Sequence, residues 1–194
     1  VTVPLRSRVN GDTWRMMASQ NGTNVSINGV PQPVINSGDK IEAILTAQSI
    51  ISSDKPILVA QYSNGSSYSG NPGDPFMMII PPYEQYLAGY TLTTVTGYVA
   101  HYINVVAPNA VVGTLTLDLV PVPVVEFTPI GVSGFSGAQL PVDPGSHSLA
   151  AVLPFGAFQY GFNNDDSYGY PGGLSLAPVA TVTSIDVTPK NATN

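Results

Sequence analysis

Proline and glycine occur so often along this chain that no long helix can form between them. The sequence has 18 prolines and 19 glycines among 194 residues. Proline lacks the amide hydrogen that a helix interior needs, and glycine weakens a helix through its conformational freedom. The segments that remain are short and rich in β-branched and aromatic residues, which indicates strands.

The hydrophobic pattern of these segments predicts where the strands lie. Residues 114–119 alternate between Leu and a polar residue, which predicts a strand that buries Leu115, Leu117 and Leu119 on one face. The apolar runs 57–62 and 76–80 predict strands that are covered on both faces. Residues 40–52 also suit a helix, although their β-branched end favours a strand. The remaining candidate strands are 13–18, 24–27, 40–47, 90–94, 101–106, 122–127, 135–140, 147–153 and 157–162.

Turn signals separate these candidate strands. Asn-Gly pairs at positions 10–11, 21–22, 28–29 and 64–65 predict tight turns, because both residue types tolerate positive φ. Asp143-Pro144-Gly145 predicts another turn of this kind. Short strands with such spacing indicate an all-β fold, an antiparallel β-sandwich or barrel-like arrangement of about 10–13 strands with little or no helix.

The scarcity of charge excludes several classes of partner. Charged residues make up 9% of the chain, with six basic residues and a net charge of −6. This excludes nucleic-acid binding by phosphate neutralisation and anchoring by a polybasic segment. No apolar run is long enough for a membrane-spanning helix, so no membrane insertion is expected, and no signal peptide is seen. A polar, uncharged and cysteine-free surface favours an extracellular or cell-surface location.

Catalytic patterns are missing from the sequence. His101 and His147 do not form a metal-binding motif, and no G-x-S-x-G nucleophile motif occurs. We therefore predict that the chain is not an enzyme and requires no cofactor.

One acidic segment is a candidate calcium site. Asn163, Asp165 and Asp166 place oxygen-bearing side chains close together, and hard cations prefer such ligands. The spacing does not match an EF-hand. A solvated Asx-rich turn is the favoured alternative.

Exposed tyrosines are the candidate ligand-binding residues. Tyr68 lies in a Ser/Gly-rich segment (residues 63–73), and Tyr168 and Tyr170 lie in a second segment (residues 163–173). Tyrosines beside Asn and Asp can stack on sugars or anchor a protein partner. The alternative is that they pin glycine-rich loops against the sheet, an interpretation that Tyr160 and Phe162 fit better.

Five segments of the chain resemble a known family when they are taken together. They are D-K-P-I-L-V-A-Q-Y at 54–62, D-P-F-M-M-I-I-P-P-Y-E-Q-Y at 74–86, Y-I-N-V-V at 102–106, G-S-H-S-L at 145–149, and Y-G-F with S-Y-G-Y-P-G-G at 160–162 and 167–173. They resemble the N-terminal domain family of the IgGFc-binding protein, over about residues 12–177. Asn104 and His147 lie in these motifs without a role to transfer. Leu119 stands where the family often has a glycine, and the cysteines of animal members are missing.

The resemblance implies a domain organisation. Residues 1–177 are expected to be the C-terminal part of the family's full β domain, in a bacterial surface-protein member. Residues 182–193 resemble the first strand of bacterial group-2 immunoglobulin-like repeats. Residues 178–194 are therefore predicted to be a linker and the first strand of a following Ig-like module.

Two functions remain open from the sequence. The first is a non-catalytic extracellular adhesion module of a bacterial surface or secreted protein, which recognises a glycan or protein through its Tyr/Asn/Ser/Gly-rich loops. Its partners would be a host or neighbouring-cell surface protein or glycan, and adjacent Ig-like domains of the same chain. The alternative is a structural spacer of a cell-envelope or matrix protein, with no ligand of its own.

Overall fold

The computed structural model of the chain describes residues 1–176. Within them the chain forms fifteen strands whose pairings are all antiparallel, which confirms the all-β class. One short helix, α1 (Ser66–Ser69), and three 3-10 turns (Tyr83–Gln85, Asn109–Val111 and Val124–Glu126) complete the regular structure. The strands are β1 (Asp12–Ala18), β2 (Val25–Ile27), β3 (Val30–Pro31), β4 (Lys40–Leu45), β5 (Ile51–Ser53), β6 (Ile57–Tyr62), β7 (Met77–Ile79), β8 (Leu87–Thr93), β9 (Ala100–Pro108), β10 (Thr116–Leu117), β11 (Val120–Pro121), β12 (Thr128–Pro129), β13 (Phe135–Val142), β14 (Ser146–Phe162) and β15 (Ser167–Pro171).

The strands form three sheets. The first has the order β4-β1-β6-β7, the largest has the order β11-β10-β14-β9-β13-β12, and a small one has the order β3-β2-β5. The 17-residue strand β14 organises the largest sheet, because its first part pairs with β8 and β10 and its last part with β9 and β15. An irregularity between Ala150 and Phe155 separates the two parts. The candidate strands 147–153 and 157–162 are therefore one continuous strand.

The largest sheet is covered on both faces, and this makes the molecule a layered sandwich. Along β9, Val106 belongs to the core that also contains Trp14 and Met16 of the first sheet. Ile103 and Val105 of the same strand belong to a second core on the opposite face. Successive side chains of a strand point to opposite faces, so a central strand must be apolar on both.

The N-terminal segment, residues 1–8, is not a strand but is bound into the first core by buried and half-buried polar side chains. Asn104 Nδ2 donates to the Val3 and Pro4 carbonyls at 3.2 and 2.8 Å, and Gln139 Nε2 donates to Pro4 O at 2.6 Å. Tyr160 Oη accepts a hydrogen bond from Arg6 N at 2.8 Å. Asn104 thus satisfies backbone carbonyls of a largely buried irregular segment.

The predicted strand at 114–119 is wrong. Only Thr116–Leu117 is strand, and Leu119 is 87% exposed, although Leu115 is buried as expected. Asp118 and Leu119 have φ angles of 50° and 67° and form a two-residue turn before β11. Asp118 Oδ1 accepts from Ser148 N at 2.8 Å, which holds the turn against β14. The alternation was therefore that of a hairpin turn and not of a longer strand.

Two further expectations need correction, and one open choice is decided. Residues 122–127 contain a 3-10 turn and no strand, and Pro123, which directly precedes the turn, cannot donate to a ladder. The strand that was favoured over a helix for residues 40–52 is confirmed, since β4 pairs with β1 and β5 begins at Ile51. The runs 57–62 and 76–80 are not covered on both faces: Leu58 and Met77 are 49% and 50% exposed on the outside of the first sheet.

The turn predictions are confirmed where the geometry is tightest. Asn28 and Gly29 have φ angles of 51° and 79° and join β2 to β3 in a two-residue hairpin. Gly65 differs, because its φ is −63° and it precedes α1. Gly145 has a φ of 146°, but β13 and β14, which flank this turn, both pair with β9 and not with each other. In the described part of the chain, no helix has the length and apolar character to cross a membrane.

Candidate functional site

Two loops that are distant in sequence meet at one end of the sandwich. They are the β6–β7 loop (residues 63–76) and the β14–β15 loop (residues 163–166), and together we call them the paired-loop surface. Gly73 N donates to Asn164 O at 3.2 Å, and Ser167 Oγ donates to Asp74 O. Phe76 covers Gly169 so closely that a Cβ atom there would lie 2.0 Å from the ring. The two segments that the sequence singled out are thus neighbours.

Arg8 holds the β6–β7 loop in place. Its Nη1 donates to Ser69 Oγ at 2.7 Å and to the Asn71 and Pro72 carbonyls at 3.0 and 3.1 Å, and its Nη2 donates to Ser63 Oγ at 3.0 Å. All four acceptors are neutral. Burial lowers the pKa of the guanidinium, and the charge of Asp12 acts in the opposite direction.

The rest of the Arg8 side chain is also buried. Arg8 Cζ lies 4.0 Å from the centre of the Phe162 ring, and the side chain is 8% exposed. Its Nε has no partner among the described residues. The cation is therefore used to fix loop geometry, and the cost of its burial is offset by hydrogen bonds and the aromatic ring.

The three candidate tyrosines differ in exposure, in secondary structure and in their hydrogen-bond partners. Tyr68 is 45% exposed, and its backbone carbonyl accepts from Asn10 Nδ2 at 2.6 Å. Tyr168 and Tyr170 belong to strand β15 and not to a loop, which corrects the expectation for residues 167–171. Tyr168 Oη lies 2.9 Å from His101 Nδ1, and Tyr170 Oη donates to Thr93 O at 2.6 Å.

The tyrosines of β15 thus pack on the sheet. The Tyr168 ring lies over Gly161, where a Cβ atom would be 2.4 Å away from it. It makes an edge-on contact with Tyr98 at 4.8 Å between ring centres. Burial raises the pKa of the Tyr168 hydroxyl. Ligand binding by these two residues stays a prediction, and their hydroxyls serve the pinning role that the sequence left as the alternative.

The candidate calcium residues are engaged in turn contacts. Asn163 Nδ2 donates to Gly97 O at 2.8 Å, and its Oδ1 accepts from Asn164 N at 2.9 Å. Asp166 accepts from Ser167 N and from Tyr98 Oη, both at 2.8 Å. Asp165 is exposed. Within residues 1–176 no group of three or more acidic, His or Cys side chains is arranged to hold a metal ion. The calcium site stays a prediction, and the geometry is that of an Asx-rich turn.

A cleft opens beside the β14–β15 loop. Its volume is about 220 Å³, and its lining is Ser7, Arg8, Asn71, Pro72, Val99, Ala100, Tyr102, Phe162, Asn163 and Asn164. A shallower open depression of about 420 Å³ adjoins it and shares Asn71, Pro72 and Asn164. Sequence reasoning missed Ser7, Arg8 and Tyr102 as site residues, since no local motif connects residue 8 to residues 63–72. The one signal in the sequence was that Arg8 is a basic residue in a chain with only six Lys and Arg residues.

The two histidines have structural partners. His147 Nδ1 lies 2.8 Å from Asp118 Oδ2, and its Nε2 lies 2.8 Å from Asp143 O. Burial is the largest single influence on the pKa of His147 and lowers it, but the hydrogen bonds to Asp118 and Asp143 and the charges of these two residues together outweigh burial, so the pKa is raised. His101 is buried beside Tyr168, and burial lowers its pKa. His147 therefore anchors the β10–β11 hairpin to β14.

Comparisons with known proteins place these features in a family. The sequence model described as IgGFc binding protein matches residues 1–161, which contain the N-terminal segment, the β6–β7 loop and nearly all of β14. No curated protein and no solved structure matches the chain. The family match covers most of the described residues and includes both motif residues, Asn104 and His147, whose structural roles are given above. The chain belongs to the IgGFc binding protein family.

Proposed function

We propose that the chain is a non-catalytic binding module of a secreted or cell-surface bacterial protein, and that it recognises its partner through the paired-loop surface. The observation that carries this proposal is the meeting of two Ser-, Asn- and Gly-rich loops on a rigid sheet. Tyr68, Ser66, Ser67 and Asn164 are exposed there. Function is often carried by loops that a scaffold holds in place, and Arg8 supplies that support here.

The mechanism of recognition would be contact area and neutral hydrogen bonds. The loops are rich in the residue types of adaptable binding surfaces, namely Tyr, Ser, Gly and Asn. The family's description names an antibody Fc region as ligand, which supports a protein partner as the first to be tested. Because charge is scarce, we expect binding to depend weakly on salt.

A structural spacer is the second candidate function. The observation that favours it is that the Tyr168 and Tyr170 hydroxyls contact other residues of the same chain and so pin β15 to the sheet. In a spacer the tyrosines would pack within the domain. Its partners would be adjacent Ig-like domains of the same chain. Residues 178–194, where such a module is predicted to begin, lie outside the described residues.

One experiment separates the two candidates. The full chain is tested by biolayer interferometry against IgG Fc fragment, with its N-linked glycans intact and removed, and on an array of glycans. The binding module predicts saturable binding to at least one probe, weakened at least fivefold by Tyr68→Ala. Tyr83→Ala is the matched control, because Tyr83 is an exposed tyrosine outside both loops. If no probe binds, or if both variants lose affinity equally, the proposal is contradicted and the spacer is supported.

A further inference from the structure

The cleft between the two loops has a lining that is specific enough to indicate a class of ligand. We propose that it binds one neutral sugar ring, the terminal unit of a glycan, whose next unit lies in the adjoining depression. This inference rests on the proposed binding function and names its ligand.

The charge of the lining argues for a neutral ligand. Among the residues that line the cleft and the depression, Arg8 is the only one with a charged side chain. Its Nη1 and Nη2 atoms donate to four neutral acceptors, and its side chain is buried. An anionic ligand would have to displace these hydrogen bonds to reach the guanidinium. A cationic ligand would find no carboxylate in the lining.

Amide groups supply hydrogen-bonding capacity toward the cleft. Asn164 is held by its backbone, since its N–H donates to Asn163 Oδ1 and its carbonyl accepts from Gly73 N. Its exposed side chain makes no hydrogen bond to the described residues and so offers two donors and an acceptor. Asn71 uses Nδ2 to reach Ser7 O at 2.6 Å, and its Oδ1 stays available. Neighbouring sugar hydroxyls both donate and accept, and a side-chain amide matches that pattern.

An aromatic ring completes the lining. Tyr102 is fixed by stacking on Tyr160, with ring centres 5.4 Å apart and planes at 30°, and Arg6 Cζ lies over the same ring at 5.8 Å from its centre. Val99 beside it is 78% exposed. The C–H face of a sugar ring is apolar and packs on such surfaces while its hydroxyls reach the amides. An apolar surface with a few placed polar groups is the usual composition of a small-molecule site.

Backbone strain is present at the same place. Ser7 has a φ of 64°, a left-handed conformation that is rare outside glycine and asparagine. The hydrogen bond from Asn71 to its carbonyl and the contacts of Arg8 hold it there. Strained residues that are held so firmly concentrate at binding sites, because the strain fixes the position of the groups around it. The cleft is therefore organised before a ligand arrives.

The size of the cleft sets the size of the ligand. At about 220 Å³ it is smaller than the range of roughly 300–1,000 Å³ that holds drug-sized ligands. It suits a single ring. The open depression of about 420 Å³ shares three lining residues with it and gives the following sugar unit a place.

The test is an NMR titration of the isotope-labelled full chain. Glucose, galactose, mannose and N-acetylglucosamine are compared with the anionic N-acetylneuraminic acid. We expect saturable shifts at cleft residues for at least one neutral sugar, with smaller shifts for the acid. Asn164→Ala should weaken that binding about fivefold, the effect of one lost hydrogen bond. Gln20→Ala is the matched control, an exposed amide outside both loops.

The outcomes distinguish this inference from the proposed function. Shifts outside the cleft, a preference for the acid, no saturable shifts at all, or equal losses in both variants would overturn the sugar site. If no sugar binds while the chain binds deglycosylated Fc fragment through Tyr68, the binding module is supported and the sugar site is contradicted. If neither the sugars nor the Fc fragment bind, both proposals are contradicted.

Discussion

Tyr160 Oη donates a 2.8 Å hydrogen bond to Asn104 Oδ1 in the first core, while the same hydroxyl accepts from Arg6 N. This pair joins the centre of the sheet to the N-terminal segment, which carries Ser7 and Arg8 to the candidate site. The hydroxyl therefore has two hydrogen-bond partners, one as donor and one as acceptor.

Tyr160→Phe tests this relationship. Removal of the hydroxyl leaves Arg6 N and Asn104 Oδ1 unpaired, and we expect the free energy of unfolding to fall by about 1–3 kcal/mol. Urea denaturation at pH 7 measures it. Tyr170→Phe is the control, because its hydroxyl has one partner and is partly exposed, so its loss should be smaller. A loss of less than half a kcal/mol for Tyr160→Phe would show that water replaces the bonds.

Asp12 should make stability depend on pH. Burial raises the pKa of its carboxyl to about 6, although Leu5 N, Gln61 Nε2 and the charge of Arg8 act in the opposite direction. The unfolded group has a pKa of about 3.9. Between these values the folded state holds a proton that the unfolded state lacks, so this contribution falls as the pH rises from about 4 to 6. It amounts to about 3 kcal/mol.

Asp12→Asn isolates that contribution. The variant stays neutral, so wild type should lose stability relative to it as the pH rises from 4 to 7. Thermal denaturation at a series of pH values measures the difference, and the subtraction removes groups common to both proteins. A wild type that gains stability relative to Asp12→Asn over this range would contradict the raised pKa.

Leu119→Gly should stabilise the protein. The β10–β11 turn requires positive φ at both central residues, and Leu119 meets that requirement at a steric cost of about 1–2 kcal/mol. Glycine removes the cost but adds freedom to the unfolded chain, so the net gain in free energy of unfolding should be about 1 kcal/mol. Differential scanning calorimetry provides the measurement.

The reverse change at the other hairpin is a matched control for the turn argument. Gly29 has a φ of 79° and no atoms within 4 Å of an added Cβ, so Gly29→Leu should lose stability through the backbone alone. We expect a loss of similar size, about 1 kcal/mol. Equal and negligible effects at both turns would show that positive φ carries no cost here.

Tyr168→Ala should destabilise the domain. Its ring packs on Gly161 and Tyr98, and its hydroxyl contacts His101, so we expect a loss of about 2 kcal/mol in the free energy of unfolding. Tyr68→Ala is the comparison, an exposed tyrosine that should lose less than half a kcal/mol. Chemical denaturation of both variants checks this. If Tyr168→Ala unfolds at the wild-type midpoint, the pinning role is wrong.

The contrast between the two hairpins shows what local patterns can and cannot predict. Asn28-Gly29 was predicted as a turn because both residue types favour positive φ, and the structure confirms it. Asp118-Leu119 has the same backbone, but leucine gives no turn signal, so the alternation at 114–119 predicts a strand. The turn exists because Asp118 bonds to Ser148 and His147 on β14. Those contacts are about thirty residues away and invisible to a local pattern.

Local patterns likewise identified only some residues of the candidate site. The composition of the loop segments identified Tyr68 and the Asn163–Asp166 region as exposed polar surface. It did not identify Arg8, whose hydrogen bonds reach residues 55 to 64 positions away. Nor did it show that Tyr168 and Tyr170 lie in a strand, since their glycine- and proline-rich context favours a loop.

By itself the sequence determined the all-β class, most strand positions and the tight turn at Asn28-Gly29, because φ and ψ preferences act between near neighbours. The tertiary structure alone decided that the two loops meet, that Arg8 supports one of them and that β14 is a single strand shared by four others. These features depend on register and on which strands become adjacent. Such contacts form between residues far apart in the chain, where packing and hydrogen-bond satisfaction outweigh local preference.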